Sequence, residues 1–271
     1  MNQIKRSWEL AKASLEVLKH DKELMIFPII SAVVMIFVSL TFLIPTLLAN
    51  VLDSILTDGM SIFGYIVLCL FYLVQYIVVY FSSTALVGAA MIRLRGGDPT
   101  VKDGFNIALS RLMPIVGWSL VSATVGLLLN MVSNTSKKKG KGISSFIVSL
   151  LGAAWNVITF LVVPVIAIEG LGPIKAIQSS WNLLKRSWGE QIAGTVSIGL
   201  IFGLIGIAGG LILVGAGVGI SILFDSVLPG ILFGVLLILF IMALSLFSST
   251  LNGIFTASVY AFAADGQVLW I

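Results

Sequence analysis

The sequence has very little charge. Only 10% of its 271 residues are Asp, Glu, Lys or Arg, 58% are hydrophobic, and its mean hydropathy is +1.11. A water-soluble domain carries about 25% charged residues. So small a number of charges does not cover a surface that faces water. The composition therefore excludes a soluble protein and predicts one that is surrounded by lipid.

Cysteine and histidine are also scarce, with one of each, Cys69 and His20. One cysteine forms no internal disulfide, and a zinc site needs several His, Cys or carboxylate ligands together. No ionisable residue lies deep inside an apolar run, so the sequence lacks the buried groups of intramembrane proteases and proton-coupled pumps. No nucleophile–base pair is visible. We therefore predict no enzyme, no metal, no cofactor and no nucleic-acid partner.

The charges that are present divide the chain into long apolar runs. Each run exceeds the roughly 20 residues that cross a bilayer as a helix. They are continuously apolar, whereas the strands of a membrane barrel are short and alternate. We predict an all-α membrane protein with six transmembrane helices in a single domain, 1–271. The charge-free runs are 24–52, 59–92, 112–136, 142–168, 191–224 and 226–264.

Lysine and arginine are distributed unevenly between these runs. Residues 1–23, 93–111 and 169–190 hold five, four and three of them, whereas the connections after the first and fifth runs hold none. Cytoplasmic loops of membrane proteins are enriched in these residues. We therefore predict a multi-pass protein of a prokaryotic plasma membrane with both termini in the cytoplasm.

One loop departs from this distribution. Residues 136–142, SKKKGKG, place four lysines on the predicted outer side. Three interpretations stay open: a solvated loop, an outer patch that meets anionic headgroups, or a third run that does not span. In the last case, the orientation of everything that follows would be reversed.

A short polar stretch with a tryptophan occurs twice. RSWELAKASL at 6–15 and SSWNLLKRSW at 179–188 share Ser, Trp, Leu, Lys and Ser at the same five offsets. Both stretches, and a third at 101–112, space apolar residues by four and three, which is typical of an amphipathic helix. Aromatic side chains favour the headgroup region. We predict three interfacial helices with the anchors Trp8, Phe105, Trp181 and Trp188.

Each interfacial helix precedes two apolar runs. The chain is therefore divided into three repeat units, approximately 1–92, 93–168 and 169–271, each an amphipathic helix followed by a transmembrane hairpin. Because every unit crosses the membrane twice, the repeats are parallel and related by an axis along the membrane normal. The alternative is that any cytoplasmic interfacial helix selects Trp, Lys and Leu, without a common repeat.

Uncharged polar residues occupy comparable positions in the three units. Ser82, Asn156 and Asn252 each lie 14 residues before a glycine at an inner helix end. At 1.5 Å per residue they lie about 20 Å from that end, near mid-membrane. Ser82 begins a Ser-Ser-Thr triplet, 82–84, and a second such triplet, 248–250, lies just before Asn252. They predict either hydrogen bonds between helices or the polar wall of a small cavity.

Glycines recur at helical spacing in the fifth run. Small residues four apart let another helix approach closely. The interpretations are internal helix packing, a contact with a second subunit, or a groove for a lipid tail. The predicted packing glycines are Gly199, Gly203, Gly206 and Gly210.

Several motifs resemble a family of uncharacterised prokaryotic six-helix integral membrane proteins. This family is similar to the membrane domain fused to some glycerophosphodiester phosphodiesterases. The resemblance spans most of the chain and implies a membrane domain near lipid chemistry, without the phosphodiesterase barrel. The residues that carry it are Ser7-Trp8 with Leu10 and Lys12, Ala154-Trp155-Asn156-Val157, Val163-Pro164, Glu169-Gly170-Leu171-Gly172-Pro173, and Ser180-Trp181-Asn182-Leu183-Leu184-Lys185.

Two functions from different classes follow from these features. The first is a non-enzymatic membrane protein that binds lipid, organises the membrane or serves as an accessory subunit of a membrane complex. Its partners would be membrane lipids, another membrane protein or a second copy of itself. The second is a transporter or channel for a neutral or lipidic solute, which requires a cavity at the level of Ser82, Asn156 and Asn252.

Overall fold

The computed structural model of the protein describes residues 3–48, 62–138 and 142–265. These ranges are almost entirely helical and contain no β-strand. A short 3-10 turn, Lys22–Met25, joins the first two helices. In chain order the helices are α1 (Gln3–His20), α2 (Ile26–Leu48), α3 (Ile62–Leu94), α4 (Val101–Ser110), α5 (Leu112–Lys138), α6 (Gly142–Thr159), α7 (Val162–Glu169), α8 (Pro173–Leu223) and α9 (Leu228–Asp265).

Six stretches of the described residues are long and apolar enough to cross a membrane, which confirms the predicted six-helix, all-α membrane protein. The third of them lies in α5, so the run before the lysine-rich loop is a helix of spanning length. Residues 139–141 of that loop lie outside the described residues. The stretches are Lys22–Ile44, Ile66–Leu94, Leu112–Leu129, Phe146–Glu169, Ile201–Leu223 and Leu228–Ala264.

The buried core lies at one end of the bundle. It is formed by the carboxyl-terminal parts of α3 and α9 and by α7, together with residues of α1, the start of α2, α4, the first half of α5, and α8. Alanines such as Ala89, Ala90 and Ala257 are fully buried there, because their small side chains let the helices approach closely. Most of α2 and the 201–245 portion of the α8–α9 hairpin expose apolar side chains, as expected for surfaces that face lipid.

Prolines mark where two of the amphipathic segments end. Pro28 and Pro114 lie in the first turns of α2 and α5, each just after a break in the helix. Proline lacks an N–H and is tolerated in a first turn but not in a helix interior. The predicted separation is absent in the third unit, where α8 runs as one helix of 51 residues. No proline follows Pro173 until α9, so nothing interrupts the helix between its polar start and the fifth span.

A capping box fixes the start of α4. The Asp103 carboxylate accepts hydrogen bonds from the Thr100 hydroxyl (2.6 Å) and the Thr100 N–H (2.9 Å), and the Asp103 N–H donates to the Thr100 hydroxyl. These bonds favour the charged carboxylate and hold the pKa of Asp103 below its ordinary value. The box also positions Phe105, whose ring centroid lies 5.4 Å from that of Phe27 and 6.0 Å from that of Phe81. Phe105 thus packs against two aromatic rings of other helices, and its place at the headgroup level stays a prediction.

A column of aromatic rings joins α3, α5 and α6. Tyr76 stacks on Tyr80, Tyr80 contacts Trp118, and Trp118 stacks on Trp155, with centroid distances of 5.9, 5.8 and 5.9 Å. Aromatic pairs of this kind add about 1 kcal/mol beyond their buried area. The column therefore holds α6, in the fourth span, against α3 and α5.

Candidate functional site

A cavity of about 510 Å³ lies among the spanning helices. Its walls come from α2, α3, α9 and the junction between α6 and α7. No charged residue lines it, and its polar groups are hydroxyls and one amide. The lining residues are Pro28, Ser31, Ala32, Met35, Val79, Ser82, Ser83, Leu86, Val87, Phe160, Val163, Ser245, Leu246, Ser249, Asn252, Gly253 and Thr256.

Some of the polar groups in the lining are already hydrogen-bonded to backbone. The Ser82 hydroxyl donates to the Phe27 carbonyl of α2 at 2.7 Å, which ties α3 to α2. The Asn252 amide donates to the Ser248 carbonyl at 2.9 Å, and the Thr256 hydroxyl to the Asn252 carbonyl at 2.7 Å. Such bonds satisfy the donors in a setting that lacks water, but they leave hydroxyl and amide oxygens able to accept further bonds.

Four serines of the lining make no hydrogen bond within the described part of the chain. Ser31 comes from α2, Ser83 from α3, and Ser245 and Ser249 from α9. Each hydroxyl can both donate and accept. Three separate helices therefore present uncommitted hydroxyls to one space, and this arrangement makes the cavity the candidate binding site.

The structure brings together two of the three residues of the predicted polar level. Ser82 and Asn252 line the cavity, whereas Asn156 is exposed on α6 and lies outside it. The count of 14 residues assumed an unbroken helix from Asn156 to Gly170. The fourth span breaks between Thr159 and Val162, so the register changes and Phe160 contributes to the lining instead.

The sequence also carried a signal for the polar residues that this count missed. Ser245, Ser249, Asn252 and Thr256 are spaced by four, three and four, so they form one stripe along α9. Their common face lines the cavity. A polar stripe at helical spacing within a long apolar run therefore indicated the site better than a comparison between repeats.

The break in the fourth span is closed by a serine from α8. The Ser180 hydroxyl donates to the Ile158 carbonyl (2.7 Å) and accepts from the Leu161 N–H (3.2 Å). Pro164 lies in the first turn of α7, where its ring interferes with a continuous helix. Ser180 is fully buried, so it replaces helical bonds that the break leaves unmade. The serine that precedes Trp181 thus has a structural role, which is to hold the break in the fourth span.

Polar contacts also anchor the carboxyl-terminal ends of α3 and α7. Glu169, at the end of α7, accepts hydrogen bonds from the Ser179 hydroxyl of α8 (3.1 Å) and the Tyr260 hydroxyl of α9 (2.9 Å). Arg93, at the end of α3, forms ion pairs with Asp21 and with Asp98. Arg93 and Glu169 are therefore committed to partners.

Asp21→Asn is expected to lower the free energy of unfolding by about 2 kcal/mol, a typical value for a hydrogen bond to a charged group. The Asp21 side chain is only 10% exposed and meets the Arg93 guanidinium with both carboxylate oxygens. Asp98→Asn is the matched control, because the Asp98 side chain is 91% exposed and an exposed pair contributes roughly 0–1 kcal/mol. Thermal unfolding in detergent measures both; equal losses would contradict the assignment.

The predicted tryptophan anchors are described in part. Trp181 is partly buried on α8, and the Lys185 ammonium lies 5.3 Å from its ring centroid, in the range of a cation–π contact. Trp8 and Trp188 lie on α1 and α8, but their side chains lie outside the described residues. Their place at the headgroup level stays a prediction.

The predicted packing glycines differ in what surrounds them. Gly206 and Gly210 face Leu244 and Leu237 of α9, whereas a Cβ at Gly199 or Gly203 would meet no atom within 4 Å. The tightest contacts of the α8–α9 hairpin are at glycines that the stripe did not include. A Cβ at Gly209 would lie 2.5 Å from Phe240, and one at Gly217 would lie 2.8 Å from Phe233.

A family model matches residues 62–269, which is more than half of the chain. The chain belongs to that family. It is described as a "Family of unknown function (DUF6159)". The matched residues include the α3, α6–α7 and α9 walls of the cavity, whereas α1 and α2 precede them. No curated protein matches the chain. Within the described ranges, no three His, Cys, Asp or Glu residues lie together as a metal site requires.

Proposed function

We propose that this family member is a membrane protein that binds lipid within the bilayer, that it is not an enzyme, and that the hydroxyl-lined cavity is its binding site. The observation that carries the proposal is the convergence of Ser31, Ser83 and Ser249 from three helices on one uncharged cavity. A cavity of about 510 Å³ is within the usual range of small-molecule sites, roughly 300–1,000 Å³.

The two kinds of wall in the cavity suit a molecule with a polar and an apolar part. Hydroxyls from α2, α3 and α9 face apolar side chains that include Met35, Val79 and Phe160. Serine and asparagine inside a membrane commonly serve to join helices. Here Ser82 joins α2 to α3, but the four uncommitted serines do not, so helix joining alone does not account for them.

The three-unit architecture is part of this proposal. In it, α1, α4 and the first part of α8 are interfacial helices at a cytoplasmic membrane face, and each lies against the carboxyl-terminal end of a spanning helix. The supporting contacts are those of α4 with α3, the start of α8 with α7, and α1 with α9. This cyclic order is the one expected of a pseudo-threefold arrangement. Both termini would then be cytoplasmic in a prokaryotic plasma membrane.

Transport of a neutral or lipidic solute is the second candidate. The observation that favours it is the broken span, because Phe160 and Val163, on the two sides of the break, line the cavity. Discontinuous helices are common at the sites of transporters. Movement of a fluorescent neutral lipid between the leaflets of reconstituted vesicles separates this candidate from binding alone. A role beside a lipid-metabolising partner, as the family resemblance implies, belongs to the same proposal.

Ser249→Phe tests the binding site. Its ring would occupy part of the cavity and narrow it, so we expect the wild-type protein to retain about one lipid per chain through mild detergent extraction and the variant to lose it. Lipids are extracted from the purified protein and quantified by mass spectrometry. Thr124→Phe is the matched control, since Thr124 is exposed on α5 and its hydroxyl bonds only to the Leu120 carbonyl of its own helix.

Two further variants keep this test decisive. Ser83→Leu narrows the cavity from α3 and replaces Ser249→Phe where that variant does not fold. A Trp8→Ala/Trp181→Ala variant removes predicted interfacial anchors without entering the cavity. Loss of lipid in the tryptophan variant, with full retention in the cavity variants, would place binding at the interface and overturn the assignment to the cavity. Equal retention in all variants would overturn it as well.

A further inference from the structure

The cavity has no means of neutralising a charged ligand. Its lining holds no Lys, Arg, His, Asp or Glu. Arg93 is paired with Asp21 and Asp98, and Glu169 is bonded by two hydroxyls. An unpaired phosphate or ammonium buried among the spanning helices would incur a desolvation cost with no counter-charge to offset it. The lining therefore selects against phospholipid headgroups.

A second cavity at the inner end of the bundle shows the contrast. It has a volume of about 470 Å³ and lies beside the α1–α2 turn, next to the Arg93 ion pairs. Most of its lining is charged, so it has the chemistry that the first cavity lacks. Its lining residues are Lys19, His20, Asp21, Lys22, Glu23, Asp98, Pro99 and Thr100. A charged group of a ligand would find a polar environment in this second cavity. The first cavity, among the spanning helices, accommodates only uncharged polar groups.

The hydrogen-bonding groups of the first cavity define the polar group that fits it. Ser82 and Thr256 have already used their hydrogens, so they offer only oxygen acceptors. Ser31, Ser83 and Ser249 offer hydroxyls with no partner in the described chain, which can donate or accept. An alcohol both donates and accepts one or more bonds. An ester or ketone accepts only, and would leave the committed oxygens of Ser82 and Thr256 without a donor.

We infer that the cavity binds the hydroxyl end of an uncharged lipid alcohol, a class that includes diacylglycerols and long-chain alcohols. This inference rests on the proposed function and names its ligand class. The hydroxyl of the lipid donates its one hydrogen to a committed oxygen and accepts from the free serines. Its hydrocarbon part lies along the apolar lining of α2 and α3, which includes Met35 and Val79.

Titration with short-chain lipids tests the class. The purified full-length protein in detergent is titrated with dioctanoylglycerol, with its acetyl-capped ester, with dioctanoyl phosphatidic acid and with dodecanol, and bound lipid is counted by native mass spectrometry. We expect dioctanoylglycerol to bind, and the capped ester and the phosphatidic acid to bind at least about tenfold more weakly, a factor that equals about 1.4 kcal/mol. If dodecanol also binds, the hydroxyl alone is recognised. If dodecanol does not bind, the glycerol ester is recognised together with its hydroxyl. Both results support the inference.

Paired substitutions link this binding to the serines. Ser83→Ala/Ser249→Ala is expected to weaken dioctanoylglycerol about tenfold. Ser110→Ala/Thr124→Ala, which changes two exposed hydroxyls bonded to their own helices, should leave it unchanged. If phosphatidic acid binds with the same affinity as dioctanoylglycerol, and Ser249→Phe abolishes that binding, the inference is overturned and the proposed function stands. If Ser249→Phe weakens the binding of none of these lipids, both the inference and the proposed function are overturned.

Discussion

Gly104→Ala is expected to destabilise the protein by about 2–3 kcal/mol, the usual range for overpacking a close contact. Gly104 is buried on α4 where this helix crosses α3. A Cβ added there would collide with the ring of Phe27 and would lie 2.8 Å from the Ala85 carbonyl oxygen. A backbone carbonyl in the middle of a helix cannot move away from the added Cβ, and Phe27 is itself fully buried. The two helices would therefore have to separate.

Gly203→Ala is the control for this substitution. Gly203 also lies within a helix, but a Cβ there would meet no atom within 4 Å. Since alanine favours helices over glycine by about 1 kcal/mol, we expect Gly203→Ala to be neutral or slightly stabilising. The same mutation thus has opposite signs at two helical glycines. Thermal unfolding in detergent measures both, and similar midpoints for the two variants would show that α4 is not packed on α3 in this way.

The contrast between these glycines shows what the sequence could predict. Composition and run length were enough for six spanning helices, because the requirement for apolar length does not depend on which helices are neighbours. Which residue a glycine contacts does depend on which helices are neighbours. A regular stripe drew attention to Gly199 and Gly203, which have no close neighbour, whereas Gly104 stands outside any such stripe and lies against Phe27 and the Ala85 carbonyl. Spacing indicates a face of a helix but not what covers it.

The candidate site shows the same division. The Ser-rich segments of α3 and α9 were visible as polar groups in apolar runs, and Ser82 and Asn252 both line the cavity. Asn156 does not line it, because its position was counted across the break at Phe160. Pro164 made an irregularity in the fourth span predictable. The depth of the break and the change of register after it depend on Ser180, which comes from another helix.

Ser180→Ala is expected to destabilise the protein by about 2–4 kcal/mol, since an unsatisfied buried polar group costs roughly 1–3 kcal/mol. Here two backbone groups lose their partner together, the Ile158 carbonyl and the Leu161 N–H. At membrane depth, no water is available to replace the serine hydroxyl as the hydrogen-bond partner of either group. Ser119→Ala is the control, because Ser119 is equally buried but its hydroxyl bonds only to the Ile115 carbonyl, four residues back in its own helix. That carbonyl keeps its helical partner, so we expect a loss below about 1 kcal/mol.

The same substitution also connects the helix break to the cavity. Phe160 and Val163 flank the break and line the cavity, so a break that is no longer held by Ser180 should change the cavity wall. We therefore expect Ser180→Ala to reduce lipid retention at a temperature where the variant is still folded, and Ser119→Ala to retain lipid as the wild type does. Unfolding midpoints and extracted lipid are measured on the same preparations. A Ser180→Ala protein that is destabilised but keeps its lipid would show that the break supports the fold alone. A Ser180→Ala protein that loses both stability and lipid would show that α8 maintains the binding site through Ser180.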